Sequence, residues 1–178
     1  GLGIERVTTE RAAAGVVNGY ADPALLGIDR WLAVIAAYRR VRGPCVVADI
    51  GTAATIDVVD RSGRHRGGYI VPGPRLMVAS LLRNTSDLDS FRASSPPGGG
   101  GGFADNTRDA IEQGCRVALA AWIERCVSDA AGVTGESPRL LVTGGAGPDV
   151  EPWLRIGRDQ VPDLVLRGLA EVIQSRLG

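Results

Sequence analysis

The chain has 178 residues, a formal net charge of zero at pH 7 and an ordinary share of apolar (44%) and charged (22%) residues. This composition fits a globular domain, and the balanced charge gives no general attraction to nucleic acid or membrane surfaces. The sequence contains no lysine, which excludes P-loop nucleotide enzymes because their phosphate-binding loop requires one.

A loop rich in Asn, Gly, Asp and Pro at residues 18–23 precedes the first predicted helix. Apolar residues recur at helical spacing from residue 31 to residue 38, so Asp29 falls at or next to the helix N-terminus. Aspartate there most often caps the helix or complements its dipole. The functional alternative is a general base held on a rigid element. Arg30 beside it offers a fork for a substrate carboxylate.

The segment VVADIGTAATIDVVD at residues 46–60 predicts two apolar strands joined by a tight polar turn. Asp49 ends the first strand and Asp57 lies inside the second, where an unpaired carboxylate needs a cation or hydrogen-bond donors. Gly51 allows close backbone approach and Thr52 adds a hydroxyl, which suits a phosphate and its metal ion. The alternative is a plain hairpin whose Asp and Thr tie the turn.

The only histidine, His65, follows this hairpin in the polar segment RSGRHR and is predicted to be a solvated turn residue. A third strand ends in GGYIVPG, whose paired glycines indicate close backbone approach. A helix is predicted over about 75–83. The low-complexity segment ASSPPGGGGG at residues 93–102 is predicted to be a flexible loop within a domain.

A long helix is predicted after Asn106, with Thr107 as its N-cap or as a residue that holds a small ligand. Cys115 and Cys126 fall on its helical pattern as small core residues. The three cysteines lack metal-ligand spacing and favour a reducing cytoplasm. A buried strand at residues 139–143 leads into Gly144 and Gly145, a weak signal for a nucleotide pocket. Residues 164–166 are predicted as a last short strand, before a final helix.

Five segments follow one another along the chain: NGYADPALLGIDRW, ADIGTAATIDVVD, GGYIVPG, NT-helix and strand-TGG. In this order they resemble the type III pantothenate kinases, also known from Bvg accessory factor proteins. The resemblance covers nearly the whole chain and is strongest over residues 18–73. It implies an α/β fold of ribonuclease-H-like domains, as in the acetate kinase/sugar kinase/Hsp70/actin superfamily. It places residues 1–43 in a partial first domain and residues 44–178 in a second.

The resemblance also implies the roles of individual residues. Asp29 is similar to the catalytic base, Asp49 to the ligand of a monovalent cation, and Thr107 to a threonine that contacts pantothenate from the other subunit of a homodimer. Further substrate-binding positions by this resemblance are Tyr20, Gly27, Ile28, Asp29 and Arg30. Positions expected to bind the nucleotide are Gly51, Thr52, Gly144 and Gly145.

These roles imply transfer of the ATP γ-phosphate to the primary hydroxyl of pantothenate, the first step of coenzyme A synthesis, in the cytoplasm. Mg²⁺ would accompany ATP, and potassium or ammonium would bind at Asp49. Asp29 would accept the hydroxyl proton, and Arg30 would pair with the substrate carboxylate. Such transfer depends chiefly on positioning and charge stabilisation.

One feature departs from the family pattern. The family opens with an Asp-x-Gly-Asn-Thr phosphate motif, which residues 1–20 lack. The expectation is an N-terminally incomplete kinase that is inactive as this chain alone. The alternatives are a non-catalytic accessory or regulatory protein on the same scaffold, and a sugar or acid kinase of the superfamily.

Overall fold

The computed structural model describes residues 6–83 and 103–177. Its strands are β1 Ala12–Ala13, β2 Val16–Val17, β3 Cys45–Ile50, β4 Ala53–Val59, β5 His65–Pro72, β6 Arg139–Thr143 and β7 Asp159–Gln160. Its α-helices are α1 Ile28–Val41, α2 Pro74–Arg83, α3 Thr107–Thr134, α4 Gly147–Val150 and α5 Leu164–Leu177. Short 3₁₀ turns cover Pro23–Leu25 and Glu151–Trp153. Over these described residues, no helix combines the length and apolarity needed to cross a membrane.

A five-stranded mixed sheet organises the fold, in the order β5-β4-β3-β6-β7. Strand β4 is antiparallel to both of its neighbours, whereas β3 pairs in parallel with β6 and β6 with β7. This order, with one reversed strand next to the centre, is the ribonuclease-H-like arrangement that the resemblance implies. The α/β class predicted from the sequence is confirmed.

Helices cover both faces of the sheet, because successive side chains of a strand point to opposite sides. On one face, α1 and α5 pack on Cys45, Val47 and Leu141; we call this the α1 face. On the other face, α3 packs on Val46, Ala48, Ile50, Ile56 and Val142; we call this the α3 face. The α3 face is wholly apolar along these strands, so polar residues of the strands collect on the α1 face.

Helix α1 is held against the last helix of the chain at a close backbone contact. Gly168 of α5 is buried, and a Cβ built on it would lie 2.0 Å from the Leu32 carbonyl oxygen and 2.5 Å from the carbonyl carbon. Only glycine allows two helices to approach this closely. The contact therefore fixes the distance between α5 and α1, the helix that carries Asp29 in its first turn.

Several sequence predictions can be compared with these elements. Cys115 and Cys126 are buried in α3, as predicted. Residues 164–166 were expected as a strand, which is wrong: they form the first turn of α5. Helix α1 shares its core with strands that follow residue 44, yet the proposed boundary between residues 43 and 44 stays a prediction. The predicted flexible loop at residues 93–102 lies outside the described residues.

Candidate active site

One end of the α1 face turns from apolar to polar. The β-sheet register places Asp49 between Thr143 of β6 and Thr55 of β4, and it pairs Asp57 with Val47 in the next row. Thr143 and Asp57 are buried, and the Oγ1 of Thr55 is buried without a hydrogen-bond partner among the described residues. An unpartnered oxygen beside a carboxylate is a donor set that suits a hard cation.

Asp29 lies in the first turn of α1 and is exposed. The N-cap residue is Gly27, and no side chain makes a capping hydrogen bond to this helix. Asp29 therefore lies next to the helix N-terminus, as predicted, but it is not the N-cap. No hydrogen bond or ion pair joins its carboxylate to the described residues, which leaves it available to a substrate hydroxyl.

The surroundings of Asp49 disfavour the ionised form of its carboxylate. Burial raises its pKa most, and the negative charges of Asp29 and Asp57 raise it further. The negative charges of Asp29 and Asp57 are therefore each near enough to act on Asp49. A cation bound at Asp49 would offset their effect.

Asp49→Asn is expected to raise the melting temperature at pH 7 in a buffer free of potassium and ammonium. A carboxyl whose pKa is raised by folding stabilises the protonated state, so its ionised form costs stability at neutral pH. The gain should vanish as the pH falls toward about 3.9, the ordinary pKa of aspartate. Potassium should raise the melting temperature of the parent chain and leave that of Asp49→Asn unchanged.

The control for this melting series is Asp163→Asn. The hydrogen bond from Arg167 holds the pKa of exposed Asp163 below its usual range, so the sign is reversed and this substitution should bring no gain at pH 7. A melting temperature of Asp49→Asn equal to or below that of the parent at pH 7 would contradict the electrostatic account.

Arg30 and Asp57 form a buried ion pair above the sheet. Arg30 donates from Nε to Asp57 Oδ2 at 2.8 Å and from Nη2 to Oδ1 at 2.7 Å, and from Nη1 to the Tyr20 hydroxyl at 2.9 Å. The side chains of Arg30 and Asp57 are only 11% and 2% exposed. The guanidinium fork of Arg30, which was predicted to pair with a substrate carboxylate, is thus already occupied by Asp57.

His65 also contacts Asp57 of this ion pair, and the prediction that His65 lies in a solvated turn is wrong. It is the first residue of β5, its side chain is 0% exposed, and its Nε2 lies 2.8 Å from Asp57 Oδ1. Its ring also stacks on Tyr20, with centroids 5.8 Å apart. A register shift between Val58 and Val59 pairs His65 with Val59 and leaves Arg66 unpaired, which turns the histidine toward the α1 face.

The paired glycines of β5 make room for this cluster. A Cβ on Gly68 would lie 1.8 Å from the Ile56 carbonyl oxygen and 2.9 Å from both Arg30 Nη2 and Asp57 Oδ1. The close approach predicted from the sequence is therefore confirmed at Gly68. Besides the Ile56 carbonyl, the groups that approach it are the two partners of the ion pair, which no local sequence pattern connects.

The turn after β6 leaves bare backbone beside Asp49. Gly144 has a φ of +91°, and a Cβ on it would lie 2.4 Å from Asp49 Oδ1. Gly145 is exposed, with nothing within 4 Å of a built Cβ. On the neighbouring hairpin, Gly51 and exposed Thr52 form the turn between β3 and β4. Exposed backbone and small residues of this kind fit a nucleotide.

Thr107 lies apart from these residues within one chain. It is the first residue of α3, and Asn106 is the N-cap, accepting a hydrogen bond from the Asp109 amide. The N-cap role predicted for Thr107 is therefore wrong. Thr107 is exposed and lines an apolar groove between α2 and α3, together with Met77 and Ile111. Helix α3 covers the face of the sheet opposite to Asp29.

The comparisons with known proteins give the family of this chain. A family model described as type III pantothenate kinase matches residues 2–129. The chain belongs to the type III pantothenate kinase family. A type III pantothenate kinase from Azoarcus sp. (strain BH72) is 43% identical over 166 residues, covering 93% of this chain and 60% of that protein. One from Azotobacter vinelandii is 38% identical over 175 residues, covering 96% and 68%.

A solved structure supports the fold of this pantothenate kinase family member. The crystal structure of a Baf-family protein from Campylobacter jejuni, described as a transcriptional activator, matches with a TM-score of 0.62 and 26% identity over 92% of this chain and 70% of that one. The chain thus spans about three fifths to seven tenths of the length of the proteins it matches.

Proposed function

We propose that the protein transfers the γ-phosphate of ATP to the primary hydroxyl of pantothenate, forming 4′-phosphopantothenate for coenzyme A synthesis. The observation that carries the proposal is the meeting of Asp29, Asp49 and the bare Gly144 turn at one end of the sheet. These supply a free carboxylate, a cation ligand and open backbone, which are the parts that phosphoryl transfer needs.

Each part has a separate role in this proposal. Asp29 accepts the proton of the attacking hydroxyl, and it is positioned for this by the rigid start of α1. Tyr20 and the segment Gly27–Arg30 bind pantothenate. The backbone at Gly144 and Gly145 faces the adenosine, and Gly51 and Thr52 face the phosphates. Mg²⁺ enters with ATP and neutralises charge on the phosphate oxygens.

Asp49 binds potassium or ammonium in this proposal. The support is its raised pKa together with the unpartnered Thr55 Oγ1 on the adjacent strand. A monovalent cation needs several oxygens and little net ligand charge, and this pair of side chains provides both. We place the reaction in the cytoplasm, where ATP is available.

The experiment is a coupled ADP-release assay with ATP and pantothenate. Because the relatives are longer than this chain, the chain is assayed alone and as a chimera, in which it replaces the matching 166 residues of the Azoarcus relative. Pantothenate-dependent ADP release by the chimera supports the proposal. An intact, folded chimera that binds ATP but releases no ADP with pantothenate would overturn it and favour the accessory role.

The working unit is proposed to be a homodimer. Thr107 and Asp29 lie on opposite faces of the sheet within one chain, so a threonine contact to pantothenate at Asp29 requires a second subunit. The groove that Thr107 lines is apolar and open, which is compatible with a partner surface.

Mixing two inactive variants of the chimera, Asp29→Asn and Thr107→Val, is expected to restore activity. Each heterodimer then contains one site with both residues intact, and random pairing gives about a quarter of the parental number of sites. Native mass spectrometry counts the heterodimers, and the ADP assay measures their activity. Heterodimers without activity would mean that each subunit builds its own site.

A further inference from the structure

Asp57 and three side chains around it form a continuous hydrogen-bonded chain that ends at the proposed substrate site. His65 and Arg30 both contact Asp57, and Arg30 continues to the hydroxyl of Tyr20. The ring of Tyr20 stacks back on His65, and the Arg30 guanidinium carbon lies 5.7 Å from the centre of the Tyr20 ring. The four residues therefore close into a ring of contacts, and only Tyr20 and Arg30 extend toward solvent.

The direction of each hydrogen bond in this ring follows from the chemistry of its groups. A carboxylate only accepts and a guanidinium only donates. Nε2 of His65 therefore carries a hydrogen and donates to Asp57, and the Tyr20 oxygen accepts from Arg30. The Tyr20 hydrogen is left unused within the ring, and its hydroxyl can donate to an acceptor outside it.

We propose that His65 is a positioning residue for substrate binding: it anchors Asp57, and through Arg30 it orients Tyr20 so that the Tyr20 hydroxyl donates a hydrogen bond to an oxygen of pantothenate. The inference rests on the proposed function and deepens it. It assigns the specific contact to Tyr20, because the bidentate face of Arg30 is occupied by Asp57 and neutralised by its charge.

Burial makes this arrangement rigid. His65 and Asp57 are 0% and 2% exposed, and Gly68 packs so closely on the ion pair that a built Cβ would lie 2.9 Å from both partners. Nδ1 of His65 is buried without a hydrogen-bond partner among the described residues. Among the described residues, only one imidazole nitrogen of His65 therefore has a hydrogen-bond partner, and that partner is Asp57. Such a cost is expected where orientation matters more than stability.

A double-mutant cycle tests the inference. Tyr20→Phe, His65→Leu and the double variant are made in the chain and in the chimera, and calorimetry measures the Kd for pantothenate and for ATP. Each single substitution should weaken pantothenate binding on the order of tenfold. The double variant should be no weaker than the worse single variant, because both act through one contact. The Kd for ATP should change less than about twofold.

Two further variants separate positioning from packing. His65→Gln places an amide donor near the position of Nε2 and should recover most of the pantothenate affinity lost in His65→Leu. Tyr38→Phe is the control, because the Tyr38 hydroxyl donates to the Arg61 carbonyl oxygen outside this ring. It should leave both dissociation constants unchanged.

Nuclear magnetic resonance gives a test that needs no variant of His65. The chain has one histidine, so its imidazole nitrogens are assigned without ambiguity. Pantothenate should shift the His65 Nε2 signal in the parent chain and not in Tyr20→Phe. Additive losses in the cycle, equal losses for ATP, or a His65 signal indifferent to pantothenate would each overturn the inference.

The outcomes also separate this inference from the proposed function. A chimera that phosphorylates pantothenate while His65→Leu binds it normally overturns the positioning role and leaves the kinase proposal standing. Absence of pantothenate binding and of turnover in the parent chimera overturns both.

Discussion

Asp29→Asn in the chimera is expected to lower kcat for pantothenate phosphorylation by about a hundredfold or more, with little change in the melting temperature. Asparagine cannot accept the hydroxyl proton, and general bases typically contribute this much to the rate. Because Asp29 is exposed and makes no capping hydrogen bond, its loss costs the fold little. The Kd for ATP should be nearly unchanged.

The matched control is Asp22→Asn. Asp22 is exposed and accepts a hydrogen bond from the Ala24 amide, a capping contact that asparagine makes equally well. Activity of this variant should equal that of the parent. If Asp29→Asn retained near-parental kcat, Asp29 would serve only to complement the dipole of α1.

Gly168→Ala is expected to destabilise the protein by about 3 kcal/mol, at the upper end of overpacking effects. The added methyl group would lie 2.0 Å from the Leu32 carbonyl oxygen, and helix backbone cannot rotate away as a side chain can. Helices α1 and α5 must separate, which opens the core that they share on the α1 face. Denaturant unfolding with a fixed m-value measures the loss.

Gly132→Ala provides the control for this loss. Gly132 also lies inside a helix, α3, but it is exposed and nothing lies within 4 Å of a built Cβ. Alanine should be neutral or stabilising there by up to about 1 kcal/mol, because it is the better helix former. Equal effects of the two substitutions would mean that α1 and α5 can slide apart without cost.

Local patterns were sufficient to predict the elements that present the site. The apolar runs on either side of the turn at residues 51–55 and the helical spacing after Asp29 are local patterns, and both elements are found where they were expected. Such runs and periodicities reflect which side chains are buried. The residue roles taken from the resemblance, by contrast, stay predictions.

The ring around Asp57 could not be read from local patterns. Its members come from a loop, a helix and two strands, and the ion pair joins residues 27 positions apart. His65 stands among arginines in a polar segment, which resembles a solvated turn. Only the bulge after Val58 turns it inward. The available signal was Asp57 itself, a carboxylate in an apolar strand that required a partner from elsewhere.

The prediction of a strand at residues 164–166 was wrong for a different reason. Leu164, Val165 and Leu166 form a short apolar run, and periodicity alone does not distinguish a buried strand from the first turn of a buried helix. Tertiary packing decides between the two: Leu164 and Val165 pack in the core beside α1 as the start of α5, whereas Leu166 is exposed.

Because Asp57 lies on the α1 face and the α3 face of these strands is apolar, the hairpin between β3 and β4 is sensitive to the parity of its length. One residue inserted in the turn would shift β4 by one position and move Asp57 to the side covered by α3, away from Arg30. Two inserted residues would return it to its own side. For the chemistry of this chain, an odd change of length is therefore a more serious event than an even one.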